Sequence, residues 1–295
     1  MRYNELLSQL EQTLAFSASL NLNEGIKKSR FSNYQARIQR LCEIINKYSL
    51  EQLPQEVEQE LKEENLDYVL SLTESLEFVS CVDYLKTCEP KIIRKKLASV
   101  LGGPLLPDDE NTNSNEARNT LFELNLASKL RKAGLDALLG KDADIEATID
   151  DKQVVIECKR PFREQNIGKQ INKAGRQVRT RLKTLPAGSR GIVAISLSKT
   201  MNTGDKFFAY LEEASAKDTL SRKLQTAADS TMGSWKSLGK KIIGNLFHVV
   251  TASFDKKHGR YTLGEQFNAH PLAPHGSGDF QLFKHMCNAL AKLEH

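Results

Sequence analysis

Asp144 and Glu157 stand 13 positions apart, and Lys159 follows two positions after the second acid, all within DADIEATIDDKQVVIECKRP (142–161). The stretch reads as two short strands, DIEATI and QVVIECK, joined by an Asp-rich turn. Side chains alternate faces along a strand, so Asp144, Glu146 and Thr148 share one face of the first, and Val155, Glu157 and Lys159 share one face of the second. If the strands are neighbours in a meander, two carboxylates and an ammonium converge at one sheet edge. Carboxylates about 4 Å apart repel by roughly 4 kcal/mol at an effective dielectric near 20, so such a pair invites a cation. Mg²⁺, with Mn²⁺ as a substitute, is the natural guest, because it binds through one or two carboxylates and takes its other oxygens from water and substrate phosphate. Asp144 and Glu157 are therefore the expected metal ligands. The ion would acidify an attacking water and offset charge on a phosphate, while Lys159 would orient or help deprotonate that water and stabilise the transition state.

The elements that must position these residues can be read on either side. Upstream, NEARNTLFELNLASKLRKAG predicts a helix closed by Arg131, Lys132 and Gly134, and LDALLG predicts a short first strand. Downstream, a long basic helix is expected from about Glu164 to Leu185, then GIVAISLS as a strand buried on both faces. From residue 114 the order is thus helix, three strands, helix, strand. Residues 204–244 read as mainly helical, LFHVVTASF as another strand and FQLFKHMCNALAKL as a closing amphipathic helix. Residues 1–105 form an all-helical region in which Ile38, Leu41, Cys42 and Ile45 share a stripe. The Gly-, Pro- and Asn-rich GGPLLPDDENTNSNE marks its boundary with a core at 112–253, and 254–292 is expected as a loop and a helix packing on that core. The fold class is α/β, with a mixed central sheet flanked by helices.

With Asp144 on the second strand, Glu157-Cys158-Lys159 on the third and a basic helix behind, the chain resembles the PD-(D/E)XK nuclease superfamily over about half its length. The resemblance implies an αβββαβ core and a Mg²⁺-dependent nuclease, most readily a DNA endonuclease with a role in defence against foreign DNA. It also implies a glutamate on the helix before the first strand, for which Glu123 in LFELNLA is the better match than Glu116. A glutamine on the helix after the motif is Gln177 in preference to Gln170. The sequence departs from the motif at Ala143, where the family name puts proline. The tripeptide Glu-x-Lys occurs three times, also at Glu60-Leu61-Lys62 and Glu89-Pro90-Lys91, but only the third follows a strand carrying an aspartate.

Charge is unevenly spread. Residues 1–110 hold 13 Lys and Arg against 18 Asp and Glu, whereas residues 152–200 hold 12 against 2. A concentrated positive field suits a polyanion, and Arg160, Lys169, Lys173, Arg176, Arg179 and Arg181 are the candidate nucleic-acid contacts, with a solvated helix face as the plain alternative. Five cysteines never spaced as CxxC, no acid-free leader and no long apolar run lead to an expectation of a cytoplasmic protein with free thiols and no membrane partner. Cys158 reads as a buried apolar residue. The histidines lack paired-ligand spacing, and no Walker A, GxGxxG or GxSxG motif is present. The competing expectation is a nuclease-fold module that binds nucleic acid or a protein without cutting. The N-terminal helices are the expected seat of any homo-oligomer.

Overall fold

Apolar residues three and four apart dictate helices through the first hundred residues. The computed structural model places α1 at Tyr3–Ser19, α2 at Asn23–Lys27, α3 at Arg30–Lys47, α4 at Gln55–Glu63, α5 at Asn65–Val79, α6 at Val82–Leu85 and α7 at Pro90–Leu101. It describes residues 2–48, 53–111, 114–140, 143–202, 208–210, 213–255 and 260–293. The chain forms two compact units. The first comprises Met1–Leu121, Asn202–Glu212 and Thr251–Leu263, and the second Phe122–Met201, Glu213–Val250 and Gly264–His295. Neither is a single run of sequence.

In the first unit, Leu6, Leu10 and Leu14 of α1, Phe31, Ile38 and Leu41 of α3, and Leu72 and Phe78 of α5 are buried, with the Phe31 and Phe78 rings 4.4 Å apart. On α3 the buried stripe ends differently from its expected course. Ile44 is 1% exposed and Ile45 39%, because cover over the last turn of the helix lies on the Ile44 side.

Beneath this apolar packing sits a buried charge cluster. Arg30 Nε and Arg118 Nε each donate to one oxygen of Glu74, both at 2.6 Å, and Arg118 Nη1 donates to Glu110 at 3.0 Å. Arg30 Nη1 donates to the carbonyls of Val100 and Gly102, and Arg118 to those of Pro104 and Leu105, which ties down the Gly- and Pro-rich segment after α7, while Arg30 Nη2 is buried without a hydrogen-bond partner among the described residues. Removing one member of such a cluster strands the opposite charge in a desolvated site. Glu74→Ala is expected to lower stability in urea denaturation by about 3–5 kcal/mol, whereas Glu24→Ala, which breaks an exposed pair with Lys27, should change it by at most about 1 kcal/mol.

The second unit is built around the sheet. Helix α8 (Glu116–Lys132) ends where Gly134, at φ +83°, turns the chain back and the Leu135 N–H donates to the Leu130 carbonyl. Then follow β1 (Asp136–Leu139), β2 (Ile145–Ile149), β3 (Lys152–Lys159), a 3-10 turn at Glu164–Asn166, α9 (Ile167–Leu182), β4 (Arg190–Ser196) and α10 (Ser198–Met201). Later in the chain come β5 (Phe208–Tyr210), which belongs to the first unit, α11 (Glu213–Ser230), α12 (Met232–Lys236), β6 (Ile242–Asp255), β7 (Arg260–Pro271) and α13 (Gly278–Ala291), with the last residues of β6 and the first of β7 also in the first unit. The strand order is β1-β2-β3-β4-β6-β5, with β7 also on β6. The first three strands form an antiparallel meander, and β4 runs parallel to β3 and to β6, so the sheet is mixed.

Two elements differ from expectation. Strand β5 interrupts the segment read as helical, and β7 occupies the segment read as loop. RYTLGEQFNAHP lacks clean alternation and carries Gly264, Asn268 and Pro271, all turn formers, so pairing with β6 decides its conformation where local preference does not.

Helices cover both faces of this sheet. Gly191 of β4 is in register with Val155 of β3, and any side chain at Gly191 would collide with Val178 of α9, which places α9 over the face that also carries Glu157 and Lys159. On the opposite face Phe122 of α8 stacks on His248 at 5.1 Å.

Candidate active site

The β2–β3 register pairs Ile145 with Ile156, which leaves Asp144 level with Glu157. Asp144 immediately precedes β2 and is not part of the strand, a one-residue change from the expected placement that frees its side chain to turn inward. Its Oδ2 accepts the Cys158 backbone N–H at 2.7 Å, just beyond the end of the ladder. The Lys159 ammonium spends its three donors on Asp144 Oδ2 (3.4 Å), Glu157 Oε2 (3.1 Å) and the Cys158 carbonyl (2.8 Å). Asp144, Glu157 and Lys159 therefore converge at the C-terminal end of β3. Glu157 is 2% exposed, under α9, while the side chains of Asp144 and Lys159 keep 21% and 14% of their surface open to solvent.

Burial and the neighbouring Asp144 charge raise the Glu157 carboxyl to about 7, against the opposing pull of Lys159. For Lys159, burial works against the charged form, but the two carboxylates outweigh it and hold the ammonium above its ordinary range. The Cys158 thiol is raised well above normal by complete burial and by the charges of Asp144 and Glu123, so it is an inert core residue and not a nucleophile. That same influence shows Glu123, 8% exposed on α8, to be within electrostatic reach of the motif.

The other Glu-x-Lys tripeptides lie in the helical region. Glu60 is forked by Arg40 and bonded by Tyr68, and Glu89 precedes α7 as its N-cap. Gln177 is exposed on the third turn of α9, about 15 Å along the helix from Ile167. Gln170, half-buried on the first turn, lies nearer the start of α9 and hence the end of β3. Among the basic candidates, Lys169, Lys173 and Arg176 are exposed in one line on α9 and have no ion-pair partner among the described residues. Arg179 donates to the Ser237 carbonyl, and Arg181 pairs with Glu146 at 3.0 Å, so both are engaged within the fold. Arg160 is half-buried beside the motif.

Two residues at this level of the sheet were not legible as site residues. Lys199, just past β4, is 8% exposed with its ammonium 4.4 Å from the Phe162 ring centre. Asn245 lies in the cross-strand row Glu157–Val193–Asn245, is fully buried, and has neither amide atom bonded among the described residues. Only tertiary pairing brings them to this end of the sheet. His248, fully buried, instead has a packing role, with Nε2 2.7 Å from Glu265, which Lys129 also pairs at 2.6 Å.

A pair of carboxylates sharing one ammonium has oxygen donors of the kind that Mg²⁺ and Mn²⁺ take. Among the described residues no group of three or more His, Cys, Asp or Glu side chains is arranged around a common metal position. Comparison of the chain with models of known protein families, with curated proteins and with solved structures gave no match. No described helix is long and apolar enough to cross a membrane.

The Glu157 shift has a measurable consequence. Its folded value lies above the unfolded one, so its contribution favours folding below about pH 4.5 and is lost as pH rises through about 7. Urea denaturation in chelator should show Glu157→Gln gaining stability relative to the parent between pH 5 and pH 8, by on the order of 3 kcal/mol. A pH-independent difference would mean that the carboxyl titrates normally.

Proposed function

We propose that the chain is a divalent-metal-dependent nuclease of the PD-(D/E)XK type, acting on DNA. One observation carries the reading: Asp144, Glu157 and Lys159 meet within 3.1–3.4 Å at the end of β3, behind a helix–three-strand–helix–strand order. Asp144 and Glu157 would hold Mg²⁺ or Mn²⁺, and Glu123 adds negative charge from α8. A divalent cation bound there would supply a more acidic water and neutralise charge on the scissile phosphate. Lys159 would orient the attacking water or help deprotonate it and stabilise negative charge developing on phosphate oxygens. Lys169, Lys173 and Arg176 give α9 a line of cations suited to successive phosphates, which confers affinity without reading bases. Arg179 and Arg181 leave this line because the fold engages them.

A supercoiled-plasmid assay tests the activity. Nicking is expected with Mg²⁺ or Mn²⁺, none with chelator, and a loss of about 100-fold or more in Lys159→Ala and Asp144→Asn. One observation favours a second reading, a nucleic-acid-binding module without hydrolysis: Lys159 already contacts both acids with no metal needed. That reading expects DNA shifted in a gel regardless of metal and no nicking by the parent.

The α9 line gives a separate prediction. Changing Lys169, Lys173 and Arg176 together to glutamine should weaken DNA binding and flatten its log–log salt dependence by about 2–3. An unchanged slope would move the DNA path off this face.

A further inference from the structure

Within the helical unit, the turn between α1 and α2 and the first two turns of α7 line an open-sided cavity of about 620 Å³, independent of the acid cluster. Leu20, Asn21 and Leu22 line one wall and Lys91, Arg94 and Lys95 the other. The three cations stand at i, i+3 and i+4, so they share one helix face and repel one another. They also occupy the N-terminal half of α7, where the helix dipole disfavours positive charge. All three are exposed, and none has an ion pair or hydrogen bond among the described residues. Their setting is otherwise acidic: Lys91, Arg94, Lys95 and Lys96 supply four of the 13 basic residues in positions 1–110, against 18 acids. Such a concentration works against the helix that bears it and is relieved by an anion.

The cavity's size and opposite wall narrow the class of anion. Its volume falls in the range of small-molecule sites. Leu20 and Leu22 offer apolar surface facing the cations, and Asn21, in the left-handed conformation (φ 62°) that closes α1, contributes an amide to the same wall. A ligand with several negative charges at one end and a flat, weakly polar group at the other matches both walls. We propose that this cavity binds a nucleoside polyphosphate, its phosphates on Lys91, Arg94 and Lys95 and its base against Leu20 and Leu22.

Isothermal titration of the full chain without divalent metal tests this, with ATP, inorganic tripolyphosphate and a single-stranded 12-nucleotide DNA as probes. Saturable ATP binding is expected, weaker by at least tenfold in the variant carrying Lys91→Gln, Arg94→Gln and Lys95→Gln, and retained in Lys159→Ala. Should the triple variant have a lowered thermal midpoint, the single Lys95→Glu takes its place, with the same expected direction. Tripolyphosphate should bind more weakly than ATP. No saturation at millimolar ATP, equal ATP affinity in the variants, tripolyphosphate equal to ATP, or oligonucleotide preferred over ATP would each overturn the proposal. Because Lys159→Ala abolishes nicking on the nuclease reading but leaves this cavity intact, failure of one reading is distinguishable from failure of the other.

Discussion

The ammonium of Lys159, held between two carboxylates at the end of a buried strand, is the interaction on which the second unit's organisation turns. A carboxylate 2% exposed is costly to keep in a sheet unless something offsets its charge. The offset requires three things at once: a β2–β3 register that sets Asp144 level with Glu157, a strand end at which the Asp144 side chain can take the Cys158 N–H, and a lysine two positions on, returning to the same face. Helix α9 then seals that face, and Gly191 is what allows it to lie so close. Slip the register by one residue and the acids face opposite sides of the sheet.

Among the described residues, the charge cluster around Glu74 and the one around Lys159 are built differently. Around Glu74 two arginines meet two glutamates, and both guanidinium groups also donate to backbone carbonyls. Arginine suits that task because its planar fork satisfies several acceptors without losing its proton. Around Lys159 a single ammonium faces two carboxylates with Glu123 nearby, burial pushes the Glu157 carboxyl up, and solvent reaches Asp144 and Lys159. Titratable groups displaced by burial and by a like charge are the arrangement expected where chemistry is done. The first cluster staples a loop, and the second joins two neighbouring strands at the open end of the sheet.

Much of this was legible in the sequence because the site and its supports are local. Asp144, Glu157 and Lys159 come from one hairpin, where period-two alternation fixes their face, and the inward positions of α9 follow from helical spacing at Ile167, Ile171, Ala174, Val178 and Leu182. What escaped depends on pairing between distant segments. Strand β7 has weak strand preference of its own and exists through β6. Lys199 and Asn245 reach this end of the sheet only through the parallel pairing of β3, β4 and β6. Spacing likewise could not show which cations of α9 the fold consumes, since Glu146 and the Ser237 carbonyl, which hold Arg181 and Arg179, lie 35 and 58 positions away.

The central claim is that the two acids form a divalent-metal site that Lys159 shares. A crystal of the protein soaked in Mn²⁺ and measured at the manganese edge tests it most directly. The account predicts an anomalous peak within about 2.0–2.3 Å of oxygens from both Asp144 and Glu157, with the Lys159 ammonium drawn back from at least one of them. Carboxylates still bridged only by Lys159, with no peak between them at saturating Mn²⁺, would contradict it.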